Sequence, residues 1–379
     1  MQLSLETYSL IVKYVAGRGN LASLCRVSKA FQKAAERKLY NTLDLRGFTR
    51  TASVCRLLAS TSRLAALVEA LSIHYSDEIE DSEYSDEDES VYSDSADIDA
   101  YWDDVACALR NTTKLKHLNI YVEGGDEAAH SWILNNCTFQ LHSFHCDLPW
   151  DTHLSSFLDT QTELSDLYIL DFRSSSDPSN EISSLSPPRV SSLPNLSTLE
   201  CTFMEAATAL SPGRPITRLK TCFSRSQITE KREEMRDLFS KLRKSCKPLR
   251  SLDIADSSYT QEFSMELLNT VVNTFANTNN LCYLGTLVLP VGGRERIAFY
   301  SSLMRLHKLQ CIEVEVSDWD PAPTTPGALR ALTLELRIYC PSITRVVFVQ
   351  DFDRVVMKME DNLCVVDGDV NTDTLWREI

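Results

Sequence analysis

The sequence lacks several features that would have placed it quickly. Nowhere in its 379 residues does an uncharged apolar run approach the roughly 18 residues a membrane helix needs, so no membrane partner is expected. Leu3 and Ser4 open the chain with neither a basic stretch nor a long apolar one, and it reads as carrying no secretory signal. Twelve cysteines run from Cys25 to Cys364 without one CxxC pair. Without a signal, such thiols are expected reduced, packed as small hydrophobes in a cytoplasmic or nuclear protein. Gly124-Gly125 and Gly292-Gly293 lack the spacing of the phosphate-cradling loops, there is no G-x-S-x-G elbow, and the seven histidines flank no recognisable nucleophile. Neither enzymatic chemistry nor a cofactor is expected.

Basic residues are also missing from one long interval. Between Arg63 and Arg110 there is no Lys or Arg, yet that stretch holds 15 Asp and Glu. Removing those 15 from the total of 53 acids leaves 38, against 38 Lys and Arg, so the net charge of -15 is local. A balanced remainder argues against nucleic acid as a partner, because phosphate binding needs a net basic face. The acidic text "YSDEIEDSEYSDEDESVYSDSADIDAYWDD" cannot offset the entropy of ordering, and a disordered insertion is expected at about residues 76–100. Within it, Ser85 is followed by Asp86, Glu87 and Asp88, as in an acidophilic kinase site.

Against these absences stands a recurring short word: "NTLDL", "EALSI", "KHLNI", "LHSFHC", "SDLYIL", "STLEC", "TRLKT", "RSLDI", "GTLVL", "QCIEV" and "TRVVFV". Its first large apolar residues are Leu43, Leu71, Leu118, Phe144, Leu167, Leu199, Leu219, Leu252, Leu287, Ile312 and Val346. Each word alternates apolar and polar residues, the period of a strand. Helical patterns lie between them, such as residues 102–112, 265–278 and 295–306. A strand-plus-helix unit that cannot bury its own apolar face must stack on its neighbours, which predicts an α/β solenoid: a curved parallel sheet with outer helices. The words and spacings resemble leucine-rich repeats of a long, irregular type over about Leu43 to Asp351, with the usual Asn or Cys after the strand mostly missing. Residues 354–370 read as two strands around an "EDN" turn, and Leu375 and Trp376 as plugging the last repeat within a closing cap at about 352–379.

The first 42 residues read as three short helices, with Asn20 and Ser28 placed to cap the second and third. They carry more large apolar residues than so small a cluster can bury, and an exposed apolar patch marks a partner site. The text "LSLETYSLIVKYV...NLASLCRVSKAFQKAAERKLYNTLDL" resembles an F-box, and its tail resembles the junction by which many fungal F-box proteins enter their repeats. The resemblance implies docking on the Skp-type adaptor of a cullin-RING ubiquitin ligase through Leu3, Glu6, Ile11, Leu21, Leu24, Val27 and Phe31. Ser4 stands where the family usually has Pro. The implied function is that of a substrate-recognition subunit, with residues 1–42 as F-box and 43–379 as repeats. The alternative is a non-ligase scaffold whose first helices only cap the repeats.

Polar alternates of the strand words, Asn119, Tyr121, Tyr168, Glu200, Lys220, Asp253, Glu313 and Glu315, are the candidate contacts to an unknown protein substrate. A second candidate surface is the basic series Lys231, Arg232, Arg236, Lys241, Arg243 and Lys244, suited to an acidic or phosphorylated segment. Cys137, His142, His145 and Cys146 fall within ten residues, but C-x4-H-x2-H-C is no common zinc spacing and adjacent strand residues point to opposite faces. No metal is expected.

Overall fold

The computed structural model describes residues 4–76, 95–123, 130–170, 189, 191–275, 280–351, 353–361 and 363–379. It is α/β throughout and divides into two compact units, Met1–Leu193 and Pro194–Ile379. The opening helices and the strands that follow them both fall within the first unit.

In the first unit, helices α1 (Leu5–Tyr14), α2 (Arg18–Cys25) and α3 (Lys29–Tyr40) precede β1 (Thr42–Arg46). Then come α4 (Phe48–Ser60), α5 (Ser62–Ala65), β2 (Ala70–Ser76), α6 (Ser95–Asn111), β3 (His117–Glu123), a 3-10 turn at His130–Leu134, β4 (Ser143–Cys146), α7 (Thr152–Thr160) and β5 (Asp166–Ile169). The five strands pair in parallel in chain order. Leu43, Leu71, Leu118, Phe144 and Leu167 lie in direct register, each buried, as do Leu45, Ile73, Ile120, Cys146 and Ile169. Each such leucine contributes about 2 kcal/mol by leaving water, and a one-residue slip would turn the whole ladder outward.

The second unit repeats the plan: β6 (Thr198–Cys201), α8 (Met204–Leu210), β7 (Arg218–Cys222), α9 (Ile228–Leu242), β8 (Ser251–Ala255), α10 (Gln261–Phe275), β9 (Tyr283–Val288), α11 (Gly293–Leu303), β10 (Cys311–Glu315), α12 (Pro326–Tyr339) and β11 (Arg345–Gln350). β6 to β11 are parallel, and β12 (Asp353–Glu360) and β13 (Leu363–Val366) close the sheet as an antiparallel hairpin. All eleven strand words are strands. The ninth shows one correction: Leu284, rather than Leu287, pairs with both Leu252 and Ile312, because a bulge sets Gly285 and Thr286 against the single residue Glu313.

Two further expectations shift. The acidic interval is structured at both edges: Ser76 ends β2, and α6 begins at Ser95, with Asp97 in its first turn where the helix dipole favours an acid. Residues 77–94, Ser85 among them, lie outside the described residues. The segment after β13 does not sit at the sheet's outer edge as a plug. It doubles back, so that α13 (Leu375–Glu378) packs on β7, β8 and β9. No described helix is long and apolar enough to cross a membrane.

Candidate functional site

The opening helices form a small core of their own from Val12, Leu21, Ala34 and Ala35, with Tyr8, Val15, Leu24, Cys25, Phe31 and Leu39 packed against it. Local signals explain the helices. Ser28 caps α3 as expected, its Oγ accepting from the Phe31 amide at 3.3 Å. Ser4 does the same for α1, accepting from the Thr7 amide at 3.3 Å. Asn20 is not a cap: it lies inside α2 and donates from Nδ2 to the Ala16 carbonyl. Lys38 of α3 holds the far end of α1, its Nζ donating to the carbonyls of Val12, Lys13 and Val15 at 3.0–3.2 Å. Glu36 ties α3 to α5 by accepting from Arg63, and that guanidinium holds its carboxyl below the usual range.

The expected adaptor contacts therefore divide. Leu21 is 4% exposed, a core residue of the cluster and not a surface contact, and Leu24 and Phe31 are half-buried, Phe31 edge-on to Tyr8. Glu6 is exposed, Ile11 is 38% exposed and Val27 65%. Leu3 lies outside the described residues. Two residues outside the motif stand out instead: Leu10 at 56% and Tyr14 at 80%. With Ile11 they occupy one stripe of α1, at i, i+1 and i+4, while Tyr8, Val12 and Val15 face the cluster's core. A helix apolar on two sides has only one of them covered by its own fold; the signal is in the periodicity, since the apolar arc of α1 is too wide for a single contact.

The strand faces turned away from the helices carry the polar alternates, and they differ between units. In the first, Asp44, Ser72, Asn119, His145 and Tyr168 are in direct register, and Arg46, His74 and Tyr121 make a second row. Asn119 donates to Ser72 Oγ at 3.1 Å, His74 stacks on Tyr121 with ring centres 5.2 Å apart, and His145 sits 5.8 Å from the Tyr168 ring and 3.6 Å from Asp166. Asn119, Tyr121, His145 and Tyr168 are all half-exposed. Cys146, next to His145, is buried on the helix side, and burial pushes its thiol far up.

In the second unit the corresponding row is covered by the chain itself. Glu200, Lys220 and Asp253 are in register, and Glu313 lies beyond the bulge. Glu200 accepts from Arg377 at 2.6 Å and lies 3.4 Å from Lys220, whose ammonium is 5.9 Å from the centre of the Trp376 ring. Glu313 is buried and accepts from the Tyr283 hydroxyl at 2.5 Å and from Thr286 at 3.0 Å, with Arg354 at 3.9 Å. Asp253 is 6% exposed, and burial, reinforced by Glu313, pushes its carboxyl up to about 7. Gly285 makes the room: a Cβ there would collide with the Asp253 carboxylate. Glu315 accepts from the Ser317 amide at 2.9 Å, fixing the loop after β10. Asp253 and Glu313 are thus enclosed residues, not the open contacts expected of them.

Nor is the basic series of α9 a cationic surface. Lys231 is buried in an ion pair with Asp256, Arg232 pairs with Glu266 at 2.5 Å, Arg236 with Glu233 at 3.7 Å and Lys241 with Asp237 at 3.9 Å. Arg243 reaches Thr274 at 3.5 Å, and Lys244, just past the end of α9, is exposed. Four acids, Glu230, Glu233, Glu234 and Asp237, alternate with the bases along the helix and cancel its charge. Among the described residues no group of three or more His, Cys, Asp or Glu is arranged to hold a metal ion. Compared with known proteins, the chain matches no family model and no curated relative.

Proposed function

We propose that this chain is a substrate-receptor subunit of a cullin-RING ubiquitin ligase, docking on a Skp-type adaptor through its first helices and holding a protein substrate on its strand-lined faces. The resemblance of residues 3–45 to an F-box supports the reading. The observation that carries it is the outward stripe of α1, Leu10, Ile11 and Tyr14, with Val27 equally open after α2. Three large exposed side chains along one stripe of a short helix are what a partner helix or sheet would cover. The receptor would do no bond chemistry. It would raise the effective concentration of substrate lysines near a charged conjugating enzyme.

Co-expression with a Skp-type adaptor tests the reading. A stoichiometric complex is expected, and Ile11→Asp or Val27→Asp should weaken it by about 10- to 100-fold while leaving the helical circular dichroism intact, since neither residue is in the cluster's core. Absence of a complex, or equal binding by the variants, would sink it. One observation favours the scaffold alternative: α3 packs on β1 and α5 and is pinned by Glu36 to Arg63, as a cap would be. On that reading the same substitutions change nothing that binds.

A further inference from the structure

We infer that the strand-lined face of the second unit is a recognition site for a protein segment carrying an aromatic residue followed by arginine, and that residues 375–379 occupy it in cis. The inference deepens the substrate half of the proposed function and does not depend on the adaptor half.

The contrast between the two sides of the same strands points to a site and not merely to a plug. On the helix side Leu199, Leu219, Leu252, Leu284 and Ile312 give an unbroken apolar ladder. On the other side Trp376, Leu375 and Ile379 do find apolar partners at Tyr283, Cys311, Val347 and Val349. Beside those partners the segment covers charge. Glu200 pairs with Lys220 and with the segment's own Arg377, and Glu313 lies 3.9 Å from Arg354, so loss of Arg377 would leave Glu200 with Lys220 alone. An arginine bound to a half-buried carboxylate at 2.6 Å beside a fully enclosed indole is the arrangement by which interfaces anchor short peptides.

The closed arrangement also leaves something unmet. Asp253 is more than nine-tenths buried, yet among the described residues no hydrogen-bond donor reaches its carboxylate. The glycine opposite it and the bulge beside it make the room that the carboxylate itself occupies. A partner that brings the same aromatic–arginine pair and one more cation satisfies Asp253, which the chain's own segment does not. Such a partner gains on the occupant, whose advantage is the high local concentration conferred by a short tether. That tether, from Asp367 to Thr374, has no helix or strand, and Gly368 and Asp369 are exposed.

The test uses the full chain with a protease recognition sequence inserted between Gly368 and Asp369. After cleavage, gel filtration of a dilute sample should separate the short fragment from a chain whose circular dichroism and adaptor binding are unchanged. The emptied chain should then bind a fluorescein-labelled peptide of residues 369–379. The same peptide carrying Arg377→Glu should bind at least about tenfold more weakly, and Glu200→Arg in the chain should restore it while weakening the original peptide by a similar factor. A fragment that leaves only when the second unit unfolds, or peptide affinities that ignore the charge swap, would overturn the inference and make the segment a structural plug. Should the cleaved chain precipitate, hydrogen exchange on the intact chain decides: amides of residues 376–379 exchanging as slowly as those of β8 and β9 would overturn it, and exchange at least about tenfold faster would support it. Failure to bind adaptor with the peptide results intact would count against the ligase reading alone.

Discussion

The two strand faces are built by the same rule and end in different states. In both units the word alternates, apolar residues face the helices, and polar ones fall in register on the other side. In the first unit that side stays half-open, lined by Asn119, Tyr121, His145 and Tyr168. In the second it is sealed by Leu375, Trp376 and Arg377, and two carboxylates are enclosed beneath. Register fixes which residues share a face, but what covers that face is decided by a segment far away in sequence. The comparison predicts that equivalent substitutions will have very unequal costs.

The largest effect is expected at Trp376. The indole is 1% exposed and fills the space over Cys282, Tyr283, Cys311 and Val347. Trp376→Ala would remove its transfer free energy and leave a cavity, at a cost of about 4 kcal/mol. A fall in the urea midpoint of the second unit with the first unit's unchanged is the expected result. A cost below about 1 kcal/mol would mean that the segment contributes little to the second unit's stability.

Asp253 comes next, and its effect depends on pH. Its folded-state carboxyl titrates at about 7, above the ordinary carboxylate value of 3.8, because it is buried and stands near Glu313. A group whose folded pKa is raised keeps its proton longer in the native state, so stability falls as pH rises from about 4 to about 7 and stays low above that. Asp253→Asn carries no charge to desolvate. Relative to the parent it should gain on the order of 2 kcal/mol between pH 5 and pH 8, since each unit of displacement is worth about 1.4 kcal/mol. Denaturation series at about pH 5, 6, 7 and 8 measure this. Parallel curves for the two proteins would show that the niche holds a carboxylate already compensated.

Much of this architecture was legible in the residues. Eleven apolar–polar words became eleven strands because a period of two over an LxxL run has few other stable outcomes. The ninth was misjudged by three residues because a bulge at Gly285 and Thr286 leaves no mark on apolar alternation. The closing segment's destination could not be read at all: Arg377 meets Glu200 across 177 residues, and a long-range ion pair has no local signature. The basic series of α9 was over-read because bases were weighed without the acids interleaved among them, and Lys231 proved to be an internal partner of Asp256. In the first helices the motif pointed to Leu21, which the cluster keeps for its own core. The width of the apolar arc on α1, a purely physical signal that the motif left unused, would have added Leu10 and Tyr14 to Ile11.

The smallest stability effect, and the sharpest use of the comparison, is expected at Tyr168. It lies on the first unit's face in direct register with His145, half-exposed and edge-on to that ring. Tyr168 is half-exposed where Trp376 is 1% exposed, so Tyr168→Ala should open a smaller cavity, at a cost below about 1 kcal/mol. If the open face is where a protein partner sits, the same substitution should weaken that partner's binding by about tenfold or more, because a rigid aromatic at the centre of an interface carries a large share of its energy. Paired measurements on one variant, a denaturation curve and a pull-down, separate the two roles. A large loss of stability with no loss of binding would mean that the first unit's face serves its own fold as fully as the second's does, and the contrast between them would disappear.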